Sequence, residues 1–323
     1  MARLAIAVDL GGTNIRAALV DADGTIRHLV SRPTLGNEGP AAVLDRVAAL
    51  VGEVVAHENP GPDVAVGVIA PGTVDPETGI VYYGPNIRDW HDVHLRDILA
   101  ATLNRTVEIG NDANAAALGE ARFGSATQLR HLIYIGLGTG VGGGVISHGQ
   151  LISGKRGFGG ELGHVTIDPN GPRCSCGGIG CVESYVGGWA IARDGQLLVQ
   201  SLRSETLRRL AERGPITPEM VSQAASAGDY GARAIFDRAG RALAIALGGL
   251  INIFNPEVIV IGGGLSKAGD LILGPLRDAL PSYTLPSIFH EVTIRPSSLD
   301  LNTGIYGAAA LVFYAQEKHP GTL

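Results

Sequence analysis

One supersecondary unit occurs twice in this 323-residue sequence, and the repeat constrains the fold more than any other feature. Residues 3–10 (RLAIAVDL) have the pattern of a buried strand, and a glycine turn and two more short strands follow them. The same order recurs over residues 131–152, where Ile135 aligns without gaps with Val8, 127 positions earlier. Two copies of one β-meander predict two similar halves that face each other.

Helical and strand-like segments alternate along the rest of the chain, which predicts an α/β fold. The predicted helices cover residues 40–57, 97–103, 114–122, 234–253 and 303–316, with a polar helical region over 190–233. The further predicted strands cover residues 63–69, 107–109 and 257–261. We expect a small domain of residues 1–112 and 303–323, because the apolar face of the terminal helix needs a partner. Residues 113–302 would form a large domain, and an interdomain cleft would close on the substrate and exclude water.

The overall charge and hydropathy exclude two classes of partner. A formal net charge of −6 and an aromatic content of 5 % disfavour nucleic acid. No apolar run approaches the roughly 20 residues that cross a bilayer, so no membrane partner is expected. The N-terminal MARLAIAVDLGG breaks into Asp9 and glycines without a cleavage-site pattern. These features predict a cytoplasmic protein.

Glycine contributes 47 residues, about twice its ordinary ~7 % share, and it concentrates after strand-like runs. Glycine turns in this position expose backbone N–H groups that can surround phosphate oxygens. The two candidate phosphate loops consist of Gly11, Gly12, Thr13 and Asn14, and of Gly138, Thr139 and Gly140. Asp9 precedes the first turn and is placed to hold Mg²⁺ through water. An ordinary hairpin turn is the alternative for either loop alone. A G-x-G-x-x-G match starting at Gly138 lacks the helix that a dinucleotide site requires.

A candidate catalytic carboxylate lies in the segment GNDANAAALGE, between a short strand and an alanine-rich helix. Asp112 would accept the proton of a hydroxyl that attacks a phosphate, since phosphoryl transfer needs positioning, charge neutralisation and a base. The alternative is that Asp112 caps the helix by accepting the N–H groups of Asn114 and Ala115. The two roles do not exclude each other.

Binding of a small substrate with several hydroxyl groups requires polar groups from separate loops. Carboxylates, amides and an imidazole near the glycine turns supply the candidates Asn86, Asn111, Glu161, His164 and Glu183. Any one of them alone would more often be a solvated surface residue.

The three cysteines fall within eight residues, in the string GPRCSCGGIGC. Cys174, Cys176 and Cys181 supply three thiolates, and His164 supplies an imidazole ten residues upstream. Four such ligands satisfy tetrahedral Zn²⁺, and because all four are protein groups the site would be structural. Three reduced thiols are the alternative.

The glycine segments together resemble the actin-like ATPase fold of sugar kinases, a duplicated fold that is similar to ribonuclease H. The resemblance rests on DLGGTN at 9–14, GLGTGVGGG at 136–144 and GGGL at 262–265. It implies ATP as a substrate. The first loop would contact the terminal phosphates, the second would cradle them from the other domain, and Gly262, Gly263 and Gly264 would receive the adenosine.

The cysteine segment narrows the resemblance from the actin-like ATPase fold to one family of proteins. C-x-C-G-x-x-G-C-x-E after G-E-x-G-H is similar to the ROK family of bacterial kinases, repressors and unclassified reading frames, and the likeness covers essentially the whole chain. It implies phosphorylation of a hexose, with glucose expected first and Asp112 as the base. The implied sugar ligands are Asn86, Asn111, Asp112, Glu161, His164 and Glu183, with His164 serving zinc as well.

Several alternatives stay open within this resemblance. N-acetylmannosamine, allose and fructose kinases share nearly the same residues, and polyphosphate replaces ATP in some relatives. A sugar-sensing repressor would carry a winged helix-turn-helix before DLGGT, whereas the first strand here starts around residue 3, so we expect an enzyme. The resemblance also implies a homodimer or a homotetramer, with helix 234–253 as a candidate interface.

Overall fold

The computed structural model describes residues 3–318. Its strands are β1 (Leu4–Leu10), β2 (Asn14–Asp21), β3 (Ile26–Pro33), β4 (Val66–Ala70), β5 (Thr73–Asp75), β6 (Ile80–Tyr83), β7 (His91–Val93), β8 (Val107–Asn111), β9 (Leu132–Leu137), β10 (Val141–Ser147), β11 (Gln150–Leu151), β12 (Val258–Gly262) and β13 (Thr293–Pro296). Its α-helices are α1 (Pro40–Glu58), α2 (Leu95–Leu103), α3 (Asp112–Phe123), α4 (Glu183–Val186), α5 (Gly188–Gln200), α6 (Glu205–Ala211), α7 (Pro218–Ser226), α8 (Tyr230–Phe254), α9 (Asp270–Ala279), α10 (Pro286–Phe289) and α11 (Thr303–Lys318).

Two five-stranded sheets repeat one strand order. The first runs β3-β2-β1-β4-β8 and the second β11-β10-β9-β12-β13. In each sheet the meander occupies one side, and its first strand lies next to a strand from much later in the sequence. This confirms the duplicated α/β fold that the repeat predicts.

The carboxyl ends of three parallel strands meet at one edge of the first sheet. β1 pairs in parallel with β4, and Asp9 lies opposite Ile69. β4 pairs in parallel with β8, and Ile69 lies opposite Gly110. The turn after β1 and the loop after β8 are therefore only two strand spacings apart, about 10 Å.

The first sheet buries both faces, because residues of β1 alternate between two helical layers. Ile6 and Val8 belong to a core with α1 and α2, which contribute apolar residues such as Val47 and Leu99. Ala5 and Ala7 belong to a second core with residues of α3 and α11, including Ile305, Ala309 and Val312. The apolar face of the terminal helix thus packs on the sheet of the first half, as its sequence pattern predicts.

The chain divides into two compact units. The first contains the described residues up to Tyr134, residues 144–160 and the described residues from Ser297 onward; the second contains residues 135–143 and 161–296. This division differs from the predicted boundaries at 112 and 303, because α3 packs against α11. The two helices approach so closely that a Cβ on Gly119 would lie 3.1 Å from the backbone nitrogen of Gly307.

Two details of the elements differ from the sequence-based expectation. A three-stranded sheet, β5-β6-β7, lies in a stretch for which no strand was predicted, and Trp90 anchors this region with only 1 % of its surface exposed. Helix α8 begins four residues before its predicted start, since the Asp229 side chain caps it by accepting the N–H of Ala232 at 2.9 Å.

Helix α8 is largely buried within the second unit, where it packs against α9. A Cβ on Gly240 would lie 3.0 Å from the backbone nitrogen of Leu276, so the two backbones are in close contact. Most apolar side chains of α8 are covered inside the chain, although Ile253 is 72 % exposed. Among the large apolar side chains of residues 234–253, Ile253 at the end of the helix is the exposed one, and the interface predicted for this helix stays a prediction. Within residues 3–318, no helix is both long and apolar enough to cross a membrane.

Candidate active site

The first glycine loop is held by a buried threonine that the sequence interpretation did not single out. The Thr34 hydroxyl donates to the carbonyl of Gly11 at 2.6 Å, and the Thr34 N–H donates to the carbonyl of Thr13 at 2.8 Å. Thr34 is completely buried. Loop carbonyls that face Thr34 cannot face an anion, so the contacts favour a loop that presents N–H groups outward.

Asn86 lies directly against this loop. A Cβ on Gly12 would come within 2.8 Å of the Asn86 side chain, so only glycine leaves room for it. Asn86, Gly12 and Thr13 are all exposed. The structure thus brings one predicted sugar ligand next to one predicted phosphate loop.

Asp9 is the next-to-last residue of β1, close to the same loop, and it faces Arg16 across the strand pair. The Arg16 guanidinium donates to Asp9 Oδ2 at 2.6 Å through Nη2 and at 3.2 Å through Nε. Sequence reasoning missed Arg16, although the antiparallel register places it opposite Asp9. A carboxylate next to a phosphate loop is the donor that Mg²⁺ takes together with substrate phosphates, so Asp9 fits the ion.

Asn111, and not Asp112, is the N-cap of α3. Asn111 Oδ1 accepts the N–H groups of Ala113 at 3.0 Å and Asn114 at 3.1 Å, and its Nδ2 donates to the carbonyl of Gly72 at 3.1 Å. The predicted capping role of Asp112 through Asn114 and Ala115 is therefore wrong, because the preceding amide already fills it. Asp112 is the first residue of the helix and is exposed, with Oδ1 accepting the N–H of Ala113 at 2.8 Å.

A cavity of about 450 Å³ lies within the first unit, beside β8 and α3. Asn111, Asn114 and Tyr314 are among its lining residues. Asn114 Oδ1 is buried without a hydrogen-bond partner among the described residues. The cavity is large enough for a small ligand; the predicted sugar ligand Asn111 lines it, whereas Asp9, Asn86 and Asp112 do not.

The second glycine loop, residues 138–140 within the second unit, is held in a comparable way. The carbonyls of Gly138 and Thr139 accept the N–H groups of Gly188 at 2.9 Å and Trp189 at 3.1 Å, at the start of α5. These carbonyls thus face the start of a helix, as those of the first loop face Thr34.

The third glycine stretch packs against the same loop. Gly263 has a φ of 87°, and a Cβ there would overlap the carbonyl of Leu137, the residue that ends β9. Only glycine allows this approach. Gly262, Gly263 and Gly264 therefore lie next to residues 138–140, as a nucleotide site built from both segments requires.

The four predicted zinc ligands converge. The ligand atoms of His164, Cys174, Cys176 and Cys181 all lie within 4.8 Å of one another. The Sγ atoms of Cys176 and Cys181 are 3.8 Å apart, and Cys174 Sγ is 3.7 Å from His164 Nδ1. Ligands at about 2.0–2.3 Å from a tetrahedral Zn²⁺ would be about 3.5–3.8 Å from one another, so these residues fit the ion.

The surroundings of the thiols distinguish the three cysteines. Burial raises the pKa of Cys174, and it raises the pKa of Cys181 to about 12. The N–H of Gly178, which donates to the sulfur of Cys176, lowers the pKa of that thiol. Since metal ligation needs thiolates, zinc binding would release protons from the two buried cysteines.

His164 faces both the cysteine cluster and Glu161. Its Nδ1 points to Cys174, and its Nε2 lies 3.8 Å from a carboxylate oxygen of Glu161. The Glu161 side chain is 58 % exposed and that of His164 is 32 % exposed. The imidazole can thus hold a metal with Nδ1 while Nε2 faces an exposed carboxylate, and its contact with a sugar stays a prediction.

Glu183, the remaining predicted sugar ligand, is only 7 % exposed. Its carboxylate accepts the N–H of Val141 at 2.9 Å, the hydroxyl of Ser175 at 3.0 Å and the indole N–H of Trp189 at 3.3 Å. Ser175 and Trp189 were not singled out from the sequence. The structure therefore places Glu183 under the second glycine loop.

Comparison with known proteins gives a consistent assignment. The model of the ROK family matches residues 5–314. A glucokinase of Thermotoga maritima is 42 % identical over 312 residues, which cover 95 % of this chain and 96 % of the relative.

Solved structures agree with the sequence relatives. A ROK hexokinase from Thermus thermophilus has a TM-score of 0.85 at 32 % identity, covering 98 % of this chain and 100 % of its own. A ROK glucokinase from Streptomyces griseus, solved in complex with glucose and AMPPNP, has a TM-score of 0.80 at 34 % identity, covering 95 % and 98 %.

Proposed function

The chain belongs to the ROK family, and from this membership and the geometry of its sites we propose that it phosphorylates glucose with ATP to give glucose 6-phosphate. The relatives support a hexose kinase over the whole matched length. The choice of glucose follows the glucokinase relatives and the relative solved with glucose and AMPPNP.

The observation that carries the proposal is the common edge of β1, β4 and β8. This edge carries the first glycine loop, whose Gly11 and Thr13 carbonyls face Thr34. Asp9 would supply the carboxylate for the metal, and the exposed Asp112 would supply the carboxylate for the sugar. Strand register places Asp9 two strands away from Gly110, and Asp112 follows Gly110 by two residues at the start of α3. Phosphoryl transfer needs this combination of an anion site, a cation site and a base.

Asp112 would act as the general base. Its carboxylate would accept the proton of the attacking sugar hydroxyl while oxygen forms the bond to the γ-phosphorus and ADP leaves. The Asn111 cap and the contact of Asp112 Oδ1 with Ala113 fix the direction of the carboxylate. Asn86, Glu161 and His164 would hold the sugar, and Asn111 would use its remaining amide hydrogen.

The two ions would have different tasks. Asp9 would hold Mg²⁺, which neutralises phosphate charge when it is bound. His164, Cys174, Cys176 and Cys181 would hold Zn²⁺, which has four protein ligands and so stabilises the fold of its segment without activating water. A zinc ion bound by His164 would also fix the imidazole in its position beside Glu161.

A sugar-sensing repressor is the second candidate, since a xylose repressor of Bacillus subtilis is 30 % identical over 314 residues. The glucokinase relative is more similar, at 42 %. An exposed Asp112 beside a phosphate loop is the feature of this chain that favours catalysis. A cytoplasmic location and a homodimer or homotetramer remain part of the proposal.

The test is ADP release by the purified protein with Mg²⁺ and ATP, across glucose, N-acetylmannosamine, mannose, fructose and allose. We expect kcat/KM for glucose to exceed that for each other sugar by at least about tenfold, a difference of ~1.4 kcal/mol in transition-state binding. A higher value for another hexose would change the substrate. Turnover only with polyphosphate would change the donor, and no turnover with any sugar would favour the repressor.

A further inference from the structure

Thr34 directs both of its hydrogen-bond donors at the first glycine loop. It follows Pro33, the last residue of β3, which lies opposite Asn14. Its hydroxyl donates to the carbonyl of Gly11 at 2.6 Å, and its N–H donates to the carbonyl of Thr13 at 2.8 Å. A threonine has only these two donors. Because Thr34 is completely buried, water does not compete for either bond.

These bonds leave N–H groups of the loop available to a ligand. The loop closes on itself where the Gly11 N–H donates to the Asn14 carbonyl at 3.0 Å. Within residues 3–318, the N–H groups of Gly12 and Thr13 donate to no protein acceptor, and both residues are exposed. Unbonded N–H groups on an exposed turn are the donors that a phosphate requires. The carbonyls of the turn are occupied by Thr34, and its N–H groups are not occupied.

Further contacts hold Thr34 and the residues after it in place. The Arg46 guanidinium on α1 donates to the Thr34 carbonyl at 2.7 Å and pairs with the Glu38 carboxylate. The carbonyl of Gly36 accepts the N–H of Arg88 at 2.9 Å. The first glycine loop is therefore connected through one buried threonine to α1, a helix that packs in the core of the first sheet.

The loop needs this connection because its own residues do not enforce one conformation. Gly11 and Gly12 are consecutive glycines, which have the widest choice of backbone conformations. A ligand binds only the fraction of molecules whose loop has the right conformation, so the apparent Kd rises as that fraction falls. Loss of the Thr34 hydroxyl would therefore be measured as weaker binding of phosphate groups.

We infer that Thr34 is a positioning residue for the nucleotide phosphates: its buried hydroxyl holds the first glycine loop in the conformation that presents the N–H groups of Gly12 and Thr13 to ATP. The inference rests on the proposed kinase function. Because Thr34 is completely buried, it acts through the loop and makes no contact of its own with the nucleotide.

The test uses Thr34→Val, since valine keeps the shape and the backbone N–H of threonine and lacks the hydroxyl. Loss of one buried hydrogen bond predicts that the Kd for ADP and the KM for ATP both rise about fivefold. The Kd is measured by calorimetry with Mg²⁺ and without sugar. The KM for glucose should change by less than about twofold. Thr34→Ser restores the hydroxyl and should return both nucleotide constants to within about twofold of the wild-type values.

Thr284→Val is the matched control for a purely structural effect. Thr284 is a threonine of the second unit with 6 % of its surface exposed, and its hydroxyl donates to the carbonyl of Leu280 at 3.1 Å. Both valine variants lose one such bond, so both should unfold at a somewhat lower temperature than the wild type. Only Thr34→Val should weaken ADP binding.

Arg46→Met is the second variant, and it decides the question if Thr34→Val does not fold. It removes the donor to the Thr34 carbonyl and keeps an apolar stem on α1. It should raise the Kd for ADP about threefold and leave the KM for glucose unchanged.

Three results would overturn the inference. The first is a Kd for ADP that stays within about twofold of the wild-type value in folded Thr34→Val and Arg46→Met. The second is an equal rise of the Kd for ADP and the KM for glucose in Thr34→Val, since the effect would then be a general loss of structure. The third is a wild-type protein that does not bind ADP. A wild-type protein that binds ADP but phosphorylates no sugar would instead contradict the proposed function and leave this inference standing on its own readout.

Discussion

Asn111→Ala should destabilise the first unit by about 2 kcal/mol, although the residue was selected as a sugar ligand. Its Oδ1 caps α3 through the N–H groups of Ala113 and Asn114, a contact worth about 1 kcal/mol. Its Nδ2 donates to the carbonyl of Gly72, which adds about 1 kcal/mol. The sum assumes that the two bonds are lost independently.

Asn111→Ser separates the two contributions, because serine keeps a capping oxygen but cannot reach Gly72. We expect the serine variant to lose about half as much free energy of unfolding as the alanine variant. Its kcat should be higher than that of the alanine variant, because a capped start of α3 keeps Asp112 in place. Urea unfolding followed by circular dichroism gives the free energy of unfolding, and amide exchange in α3 locates the effect. Equal stability of the serine and alanine variants, or unchanged exchange in α3, would refute the capping argument.

Two further predictions concern glycine and metal. Gly263→Ala should lower the free energy of unfolding by about 3 kcal/mol, because φ is 87° and a Cβ would overlap Leu137. Gly264→Ala is the control. A Cβ at Gly264 meets nothing within 4 Å, so this variant should unfold at nearly the wild-type temperature. Thermal unfolding of both variants checks this, and equal midpoints would be inconsistent with the packing. Metal analysis should find about one zinc per chain, and removal of the metal by a chelator should lower the unfolding temperature. When the metal-free protein takes up zinc above neutral pH, it should release protons, because the pKa values of Cys174 and Cys181 are raised. A zinc-free protein of full stability would refute the metal site.

The repeat in the sequence predicted the larger part of the fold. The meander around Val8 and its copy around Ile135 predicted both sheets, and the structure confirms the same strand order in each. The five helices predicted with bounds, at 40–57, 97–103, 114–122, 234–253 and 303–316, each begin and end within four residues of a helix of the structure. These features are local, so they can be read without knowledge of distant contacts.

Features that depend on packing between distant segments were not predictable in the same way. The place of α3 beside α11 follows from the close approach of Gly119 and Gly307, which are far apart in the sequence. Thr34 is an ordinary threonine until the chain brings it under Gly11. A short-strand sheet such as β5-β6-β7 offers too few residues for a period to be recognised.

The site shows the same limit at the level of single side chains. The sequence identified Asn111 and Asp112 as a pair but assigned the cap to Asp112, because either residue type caps helices well. The residue types around Glu183 likewise gave no sign of its burial or of its hydrogen bonds with Val141, Ser175 and Trp189. Burial and hydrogen bonds depend on distant segments, so residue identity alone does not reveal them.

The central claim is that Asp112 is the base of an ATP-dependent glucose kinase, and Asp112→Asn tests it most directly. The amide keeps the shape of the side chain and can still accept the N–H of Ala113, so the glucose Kd measured by calorimetry should stay within about threefold. Loss of the base should lower kcat by about 10²–10⁴-fold. Asp45→Asn, an exposed carboxylate on α1, serves as the control and should leave kcat unchanged. A kcat of the Asp112→Asn variant within tenfold of the wild-type value would contradict the claim.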